Sequence, residues 1–139
     1  SDLQKIIDKK FSTLKNVKYL GWVDDLNEFL RRSHVCVIPS LLDAGPATVA
    51  EAMYCGVPTI VSYGCGARTL VKEGVNGFVV HAANSDALSK KINWFINNKE
   101  KIELMGTEAS ITMSELAKSN QNTILTEHIL SIIKKLQVN

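Results

Sequence analysis

The sequence predicts an α/β fold: part of a doubly wound parallel sheet of about four strands, with helices on both faces and C-terminal helices packed on the same lobe. Three observations carry this. The runs Val35-Cys36-Val37-Ile38, Thr59-Ile60-Val61 and Phe78-Val79-Val80 are short, apolar and rich in β-branched residues. They show no polar alternation, as expected of strands covered on both faces. Segments with apolar residues at helical spacing lie between and after them. Such alternation implies βαβ units and hence a parallel, Rossmann-like sheet.

Taken in order, Asp2 can cap a first helix in which Leu3, Ile6, Ile7, Phe11 and Leu14 recur at helical spacing. Val17-Lys18-Tyr19-Leu20 reads as a short strand ending at Gly21. Asp24 or Asp25 then starts a helix with Leu26, Phe29 and Leu30 on one face. The next strand covers His34 to Ile38. Pro46 suits the first turn of the following helix, where a missing N–H costs nothing. Gly56 ends that helix, and Pro58 opens the strand Thr59 to Ser62. Gly64-Cys65-Gly66 reads as a flexible turn into a helix from Ala67 to Lys72. Gly74-Val75-Asn76-Gly77 is a turn before the last strand. From Asn84 onward the pattern is helical, and an apolar stripe is expected over Gln121 to Leu136.

The 139 residues make one domain, long enough for a sizeable core. Sixteen basic against fourteen acidic residues leave a net charge of +2, too small to argue for nucleic acid. Three widely spaced cysteines form no disulfide framework and no metal-ligand spacing. Cys36 falls inside an apolar run and reads as a small hydrophobe. No apolar run approaches the roughly 20 residues that span a bilayer, and the first residues lack the apolar core of a signal peptide. A reducing, cytoplasmic setting is expected, with peripheral contact at the inner face of a membrane left open to other parts of the protein.

The chemistry concentrates between Pro39 and Ile60. Two carboxylates, Asp43 and Glu51, stand with seven residues between them and flank a predicted helix start at Gly45-Pro46-Ala47-Thr48. A helix start presents unpaired N–H groups and a partial positive charge, which suit phosphate. Carboxylates accept hydrogen bonds from hydroxyls, which suits sugars. Phosphate beside hydroxyls describes a sugar nucleotide. Glu51 has apolar neighbours in sequence, so its charge is costly unless paired; a solvent-facing residue or a structural ion pair is the plainer reading. Asp43 could equally hold the Ala44-Gly45 bend through an Asx-turn. Gly64-x-Gly66-x-x-Thr69 lacks the third glycine of a dinucleotide fingerprint and comes too late in the βα order, which excludes nicotinamide binding. No Gly-x-x-x-x-Gly-Lys-Ser/Thr loop is present, and His34, His81 and His128 are not clustered.

Asp43-Ala44-Gly45-Pro46, four residues, then Glu51-Ala52-Met53-Tyr54-Cys55-Gly56-Val57-Pro58-Thr59-Ile60 resembles the donor-site signature of the retaining glycosyltransferases of family 4. That signature reads roughly Glu-Gly-Phe-Gly or Glu-Gly-x-Pro, four residues, then Glu-Ala-Met-x-x-Gly-x-Pro-Val-Ile. Leu20-Gly21-Trp22-Val23, Val37-Ile38-Pro39-Ser40 and Glu73-Gly74-Val75-Asn76-Gly77-Phe78-Val79-Val80 match further marks in order, over roughly residues 17 to 105. The resemblance implies the C-terminal, donor-binding lobe of a glycosyltransferase-B fold, transferring a hexose from a nucleoside diphosphate sugar with retention. It implies no cofactor and no essential metal. Glu51 would hold the ribose hydroxyls and Asp43, where the family has Glu, the transferred sugar. Gly45, Pro46, Ala47 and Thr48 would face the diphosphate. Gly21 and Trp22 would wall the base, with core or rim packing an equal alternative for Trp22. Arg68 would be a new cation at the phosphates, beside Thr69 where the family usually has Glu. The family's lobe begins with two further strands carrying an Arg/Lys pair, and an N-terminal acceptor lobe precedes it. This chain would therefore be an incomplete lobe, inactive alone and completed by a missing lobe or a partner subunit. The rival reading is a non-catalytic nucleotide-sugar-binding or assembly module.

Overall fold

The computed structural model describes residues 2–11 and 14–121. Helix α1 (Asp2–Phe11) and helix α2 (Leu26–Arg31) precede strand β1 (Cys36–Ile38). Helix α3 (Ala47–Tyr54) leads to β2 (Thr59–Ser62), and a 3-10 turn (Gly66–Leu70) to β3 (Gly77–Val80). Helices α4 (Ser85–Asn97) and α5 (Glu100–Gln121) follow. The three strands lie in the order β1-β2-β3, all parallel, with Val37 opposite Ile60 and Ile60 opposite Phe78.

The alternating pleat of β2 explains why all four of its residues are buried. Val61 points to one face and packs with Val49 and Met53 of α3 and Ala109 of α5. Ile60 points to the other, among Phe78, Val80, Phe95 of α4 and Met105 of α5. Helix α5 thus reaches both cores, four residues apart. It crosses at the amino end of β2, where Gly106 lies against Gly56: a Cβ at Gly106 would stand 2.1 Å from the Gly56 carbonyl oxygen. Gly56 itself has φ +76, which ends α3 without the cost a side chain would incur.

Local signals placed several ends correctly. Asp25 caps α2 by accepting from the Glu28 N–H at 2.8 Å, and Asn84 caps α4 by accepting from Ala87 at 2.9 Å. Asn76 is fully buried and fully engaged, accepting from the Lys72 N–H and donating to the Leu70 carbonyl and the Thr112 hydroxyl. It ties the turn before β3 to α5.

The structure differs from the expectation at four places. The sheet has three strands among the described residues rather than about four, because Val17 to Leu20 is irregular and exposed, with no strand beside it to pair with. The strand expected over His34 to Ile38 is confined to Cys36–Ile38. It is half-buried rather than covered on both faces, since β1 pairs only with β2 and forms an edge. The helix expected over Ala67 to Lys72 is instead the 3-10 turn Gly66–Leu70, closed by i→i−3 bonds and ended before Asn76 takes the Lys72 N–H. Pro46 stands one residue before the helix, with ψ 123, and α3 begins at Ala47. The apolar segment from Gln121 to Leu136 lies, past Gln121 itself, outside the described residues.

Burial pushes the Cys36 thiol above its ordinary pKa, in keeping with a packed, unreactive side chain. Thr59 is fully buried, and its hydroxyl is the buried side-chain polar atom without a hydrogen-bond partner among the described residues. Replacing it with the isosteric apolar residue removes that penalty. Thr59→Val is expected to raise unfolding stability by about 1 kcal/mol in urea titrations; a loss of that size would mean that the hydroxyl has a partner.

Candidate donor site

Asp43, Gly45 to Thr48, Glu51 and Arg68 gather toward the carboxyl ends of β1 and β2, where open parallel sheets bind their ligands. The chain leaves β1 at Pro39-Ser40, runs through Leu41 to Gly45 and enters α3. No side chain caps α3: Pro46 occupies the cap position, and the first turn carries no acidic residue. The Val49 N–H turns back to the Pro46 carbonyl at 3.2 Å, which leaves the N–H groups of Ala47 and Thr48 at the opening. Ala47 is exposed and Thr48 half-buried. Nothing lies within 4 Å of a Cβ placed on Gly45, so space is open in front of the helix.

Glu51 follows Thr48 by one helical turn. It is half-buried, and no hydrogen bond or ion pair engages its carboxylate among the described residues. The structural ion pair weighed from the sequence is therefore not formed among the described residues. Asp43 is half-buried in front of the helix, and its Oδ1 accepts from the Gly45 N–H at 3.1 Å. This is the Asx-turn considered above, and it leaves the other carboxylate oxygen for a ligand.

What holds Asp43 in place was not legible as such. The Asp43 N–H donates to the Gly64 carbonyl at 2.9 Å, and the Gly66 N–H donates to the Asp43 carbonyl at 2.7 Å. The two bonds form an isolated parallel bridge between Asp43 and Cys65, beyond the end of the sheet. The backbones meet so closely that a Cβ on Gly64 would stand 2.0 Å from the Leu41 carbonyl oxygen, and one on Gly66 would stand 1.8 Å from that of Ala44. Below the bridge, the Ser62 hydroxyl donates to the Ser40 carbonyl. The pair of glycines read as a flexible turn is thus a fixed seat for the Asp43 loop. Its signal in the sequence was two glycines spaced by one residue directly after a strand.

Arg68 is brought to the same seat, but its Nη1 donates to the Tyr63 carbonyl at 3.0 Å and the Cys65 carbonyl at 3.4 Å. Thr69 is exposed beside it. Gly21 has φ +67, which accounts for glycine there. Trp22 is 90% exposed and makes no ring contact among the described residues, so core packing is excluded. Among the described residues no hydrogen bond or ring contact joins it to the Asp43–Glu51 group. A separate cavity of about 880 Å³ lies at the amino ends of the strands, lined by Val35, Val37, Ile92, Phe95 and Ile102. Its floor is apolar, His34, Lys99 and Glu103 also line it, and it holds neither expected carboxylate.

Residues 3–111 match the family Glycosyl transferases group 1, and the chain belongs to it. Over 87 residues it is 33% identical to the Escherichia coli UDP-Gal:alpha-D-GlcNAc-diphosphoundecaprenol alpha-1,3-galactosyltransferase, covering 63% of this chain and 22% of that protein. An uncharacterized glycosyltransferase of Haemophilus influenzae is 30% identical over 113 residues, 80% of this chain and 31% of its own length. Among solved structures, Anabaena HepE in complex with UDP superimposes with a TM-score of 0.79 at 26% identity, covering 94% of this chain and 36% of that one. The architecture is that of the glycosyltransferase-B fold, and this chain spans about a third or less of the relatives it matches.

The glycine seat gives a direct test. Gly66→Ala is expected to cost about 2 kcal/mol in chemical denaturation, because a Cβ there meets backbone that cannot swing aside. Gly45→Ala, with open space around it, should change stability by less than about 0.5 kcal/mol. Equal effects at the two positions would contradict the described packing.

Proposed function

We propose that the chain is the donor-binding part of a transferase that moves a hexose from a nucleoside diphosphate sugar with retention of configuration, and that it is inactive without an acceptor lobe. One observation carries this reading: an uncapped helix start lies between two carboxylates, Glu51 one turn behind it and Asp43 in front, each with an oxygen free of protein partners. Diphosphate belongs at the Ala47 and Thr48 N–H groups, ribose hydroxyls at Glu51, and the transferred sugar at Asp43. As the bond from the sugar's anomeric carbon to the diphosphate oxygen breaks, negative charge grows on the leaving group. Fixed N–H groups and the partial positive charge of α3 oppose that growth without having to reorganise. Gly21 and Trp22 would border the base, where a bare indole face offers stacking area.

Support comes from relatives. HepE was solved with UDP and with UDP-glucose, and the Escherichia coli relative is named for a UDP-galactose donor and a diphosphoundecaprenol-linked acceptor. We accordingly place the whole protein in glycan assembly, on the cytoplasmic side and in peripheral contact with a membrane. Among the described residues no helix is long and apolar enough to cross one. A second reading, a non-catalytic nucleotide-sugar-binding module, draws on Asp43 and Thr69 standing where the family carries Glu.

In the full-length protein, Glu51→Gln should weaken binding of UDP alone by about 1–3 kcal/mol, the worth of a charged hydrogen bond. Asp43→Glu should leave UDP binding nearly unchanged and alter turnover among glucose, galactose and N-acetylglucosamine donors. Calorimetry and donor-consumption assays measure both. Equal losses of UDP affinity in the two variants, or none in Glu51→Gln, would move the site elsewhere. UDP-sugar binding without turnover in the full-length protein would favour the non-catalytic module.

A further inference from the structure

Arg68 sits in the 3-10 turn after β2 and reaches back over it. Its Nη1 donates to the carbonyls of Tyr63 and Cys65, and its backbone N–H also donates to the Cys65 carbonyl at 3.1 Å. Between those two residues lies Gly64, whose carbonyl accepts the Asp43 N–H. Three consecutive carbonyls, 63 to 65, are thus held at once, two by Arg68 and one by Asp43. From below, the fully buried Cys65 side chain anchors the same turn among Val49, Met53 and Val61. A guanidinium suits this task because a single Nη carries two N–H groups and can serve two acceptors at once. A long side chain is needed to reach a carbonyl five residues back.

We propose that Arg68 is the positioning residue of the Asp43 loop: it fixes the Tyr63–Cys65 turn on which the Asp43 backbone is seated, and so sets where the Asp43 carboxylate points. Its task is then hydrogen bonding to backbone rather than charge toward diphosphate. The consequence for turnover rests on the reading of Asp43 as the sugar contact; the consequence for the loop does not.

Two substitutions bracket the donor's role. Arg68→Lys keeps an N–H donor on a side chain nearly as long, whereas Arg68→Met loses both donor and charge. Hydrogen exchange on the full-length protein reads the loop directly. Arg68→Met should speed exchange of the Asp43 and Gly66 amides by about tenfold or more while β3 amides stay as they were, a local rather than global opening. Arg68→Lys should fall between Arg68→Met and wild type. Calorimetry should find UDP affinity within about twofold of wild type in both variants. With the sugar contact at Asp43, Arg68→Met should lower turnover by about tenfold with little change in donor KM, as misplacement of a positioning group does. Arg68→Lys should restore part of it. Adding Arg68→Met to Asp43→Asn should then cost nothing further. Unchanged exchange at Asp43 and Gly66 in Arg68→Met would overturn the proposal, as would a tenfold loss of UDP affinity in Arg68→Met, which would put the charge on the diphosphate. Faster exchange with undiminished turnover would keep Arg68 as the loop's fastener and remove Asp43 from the sugar.

Discussion

Two backbone hydrogen bonds, from Asp43 to Gly64 and from Gly66 to Asp43, are the constraint on which the site depends. They extend the parallel pairing of β1 and β2 past the end of the sheet, after the strands have become loops. A loop on a sheet rim would ordinarily be free to move. This one is held at both N–H and carbonyl, and the contact is so close that only glycine fits opposite it. The direction in which α3 starts follows, because Gly45 and Pro46 leave directly from the fixed residue. The partial charge of the helix, the free N–H groups at its start and the two carboxylates keep fixed relative positions for that reason. Preorganisation of this kind is what electrostatic stabilisation of a leaving group requires.

The rest of the molecule supports this rim from beneath. Met53 and Val49 of α3 rest on Val61 and on Ala109 of α5, so the helix carrying Glu51 is packed along its length. Asn76 joins the turn before β3 to Thr112 of α5, and Glu73 accepts from the Val79 N–H while pairing with Lys91 at 2.8 Å. The opposite side is less finished. Strand β1 is an edge, Val17 to Leu20 has no strand to join, and an apolar cavity opens beside Val35 and Val37. The backbone bridge and the packed face of α3 lie toward the carboxyl end, where the candidate site residues stand.

Much of this was legible in the sequence where the cause is local. Thr59 to Ser62 declared itself by β-branching and bracketing Pro58 and Gly64, and the helix after Asp24 or Asp25 by a short polar side chain ahead of an apolar face. The Glu51-Ala52-Met53 block and its distance from Asp43 pointed to the candidate site, and the structure brings both carboxylates to the start of α3. Features made by backbone meeting backbone across some 20 residues were not legible. Nothing in Gly64-Cys65-Gly66 says that the Asp43 loop lies against it, so the glycines read as freedom when they are a fit. Nor does the sequence show that Arg68 donates to the Tyr63 and Cys65 carbonyls, since those partners carry no side-chain signal. Val17 to Leu20 shows the converse: strand propensity without a neighbour to pair with yields no strand.

The central claim, that nucleotide is held at the start of α3, is tested most directly by following backbone amides in ¹⁵N-labelled full-length protein as UDP is added. The account predicts the largest shifts at Gly45, Ala47, Thr48 and Glu51, with the amides of Ile92, Ile96 and Ile102 around the apolar cavity unmoved. Shifts concentrated at that cavity, with Ala47 and Thr48 silent at saturating UDP, would contradict it.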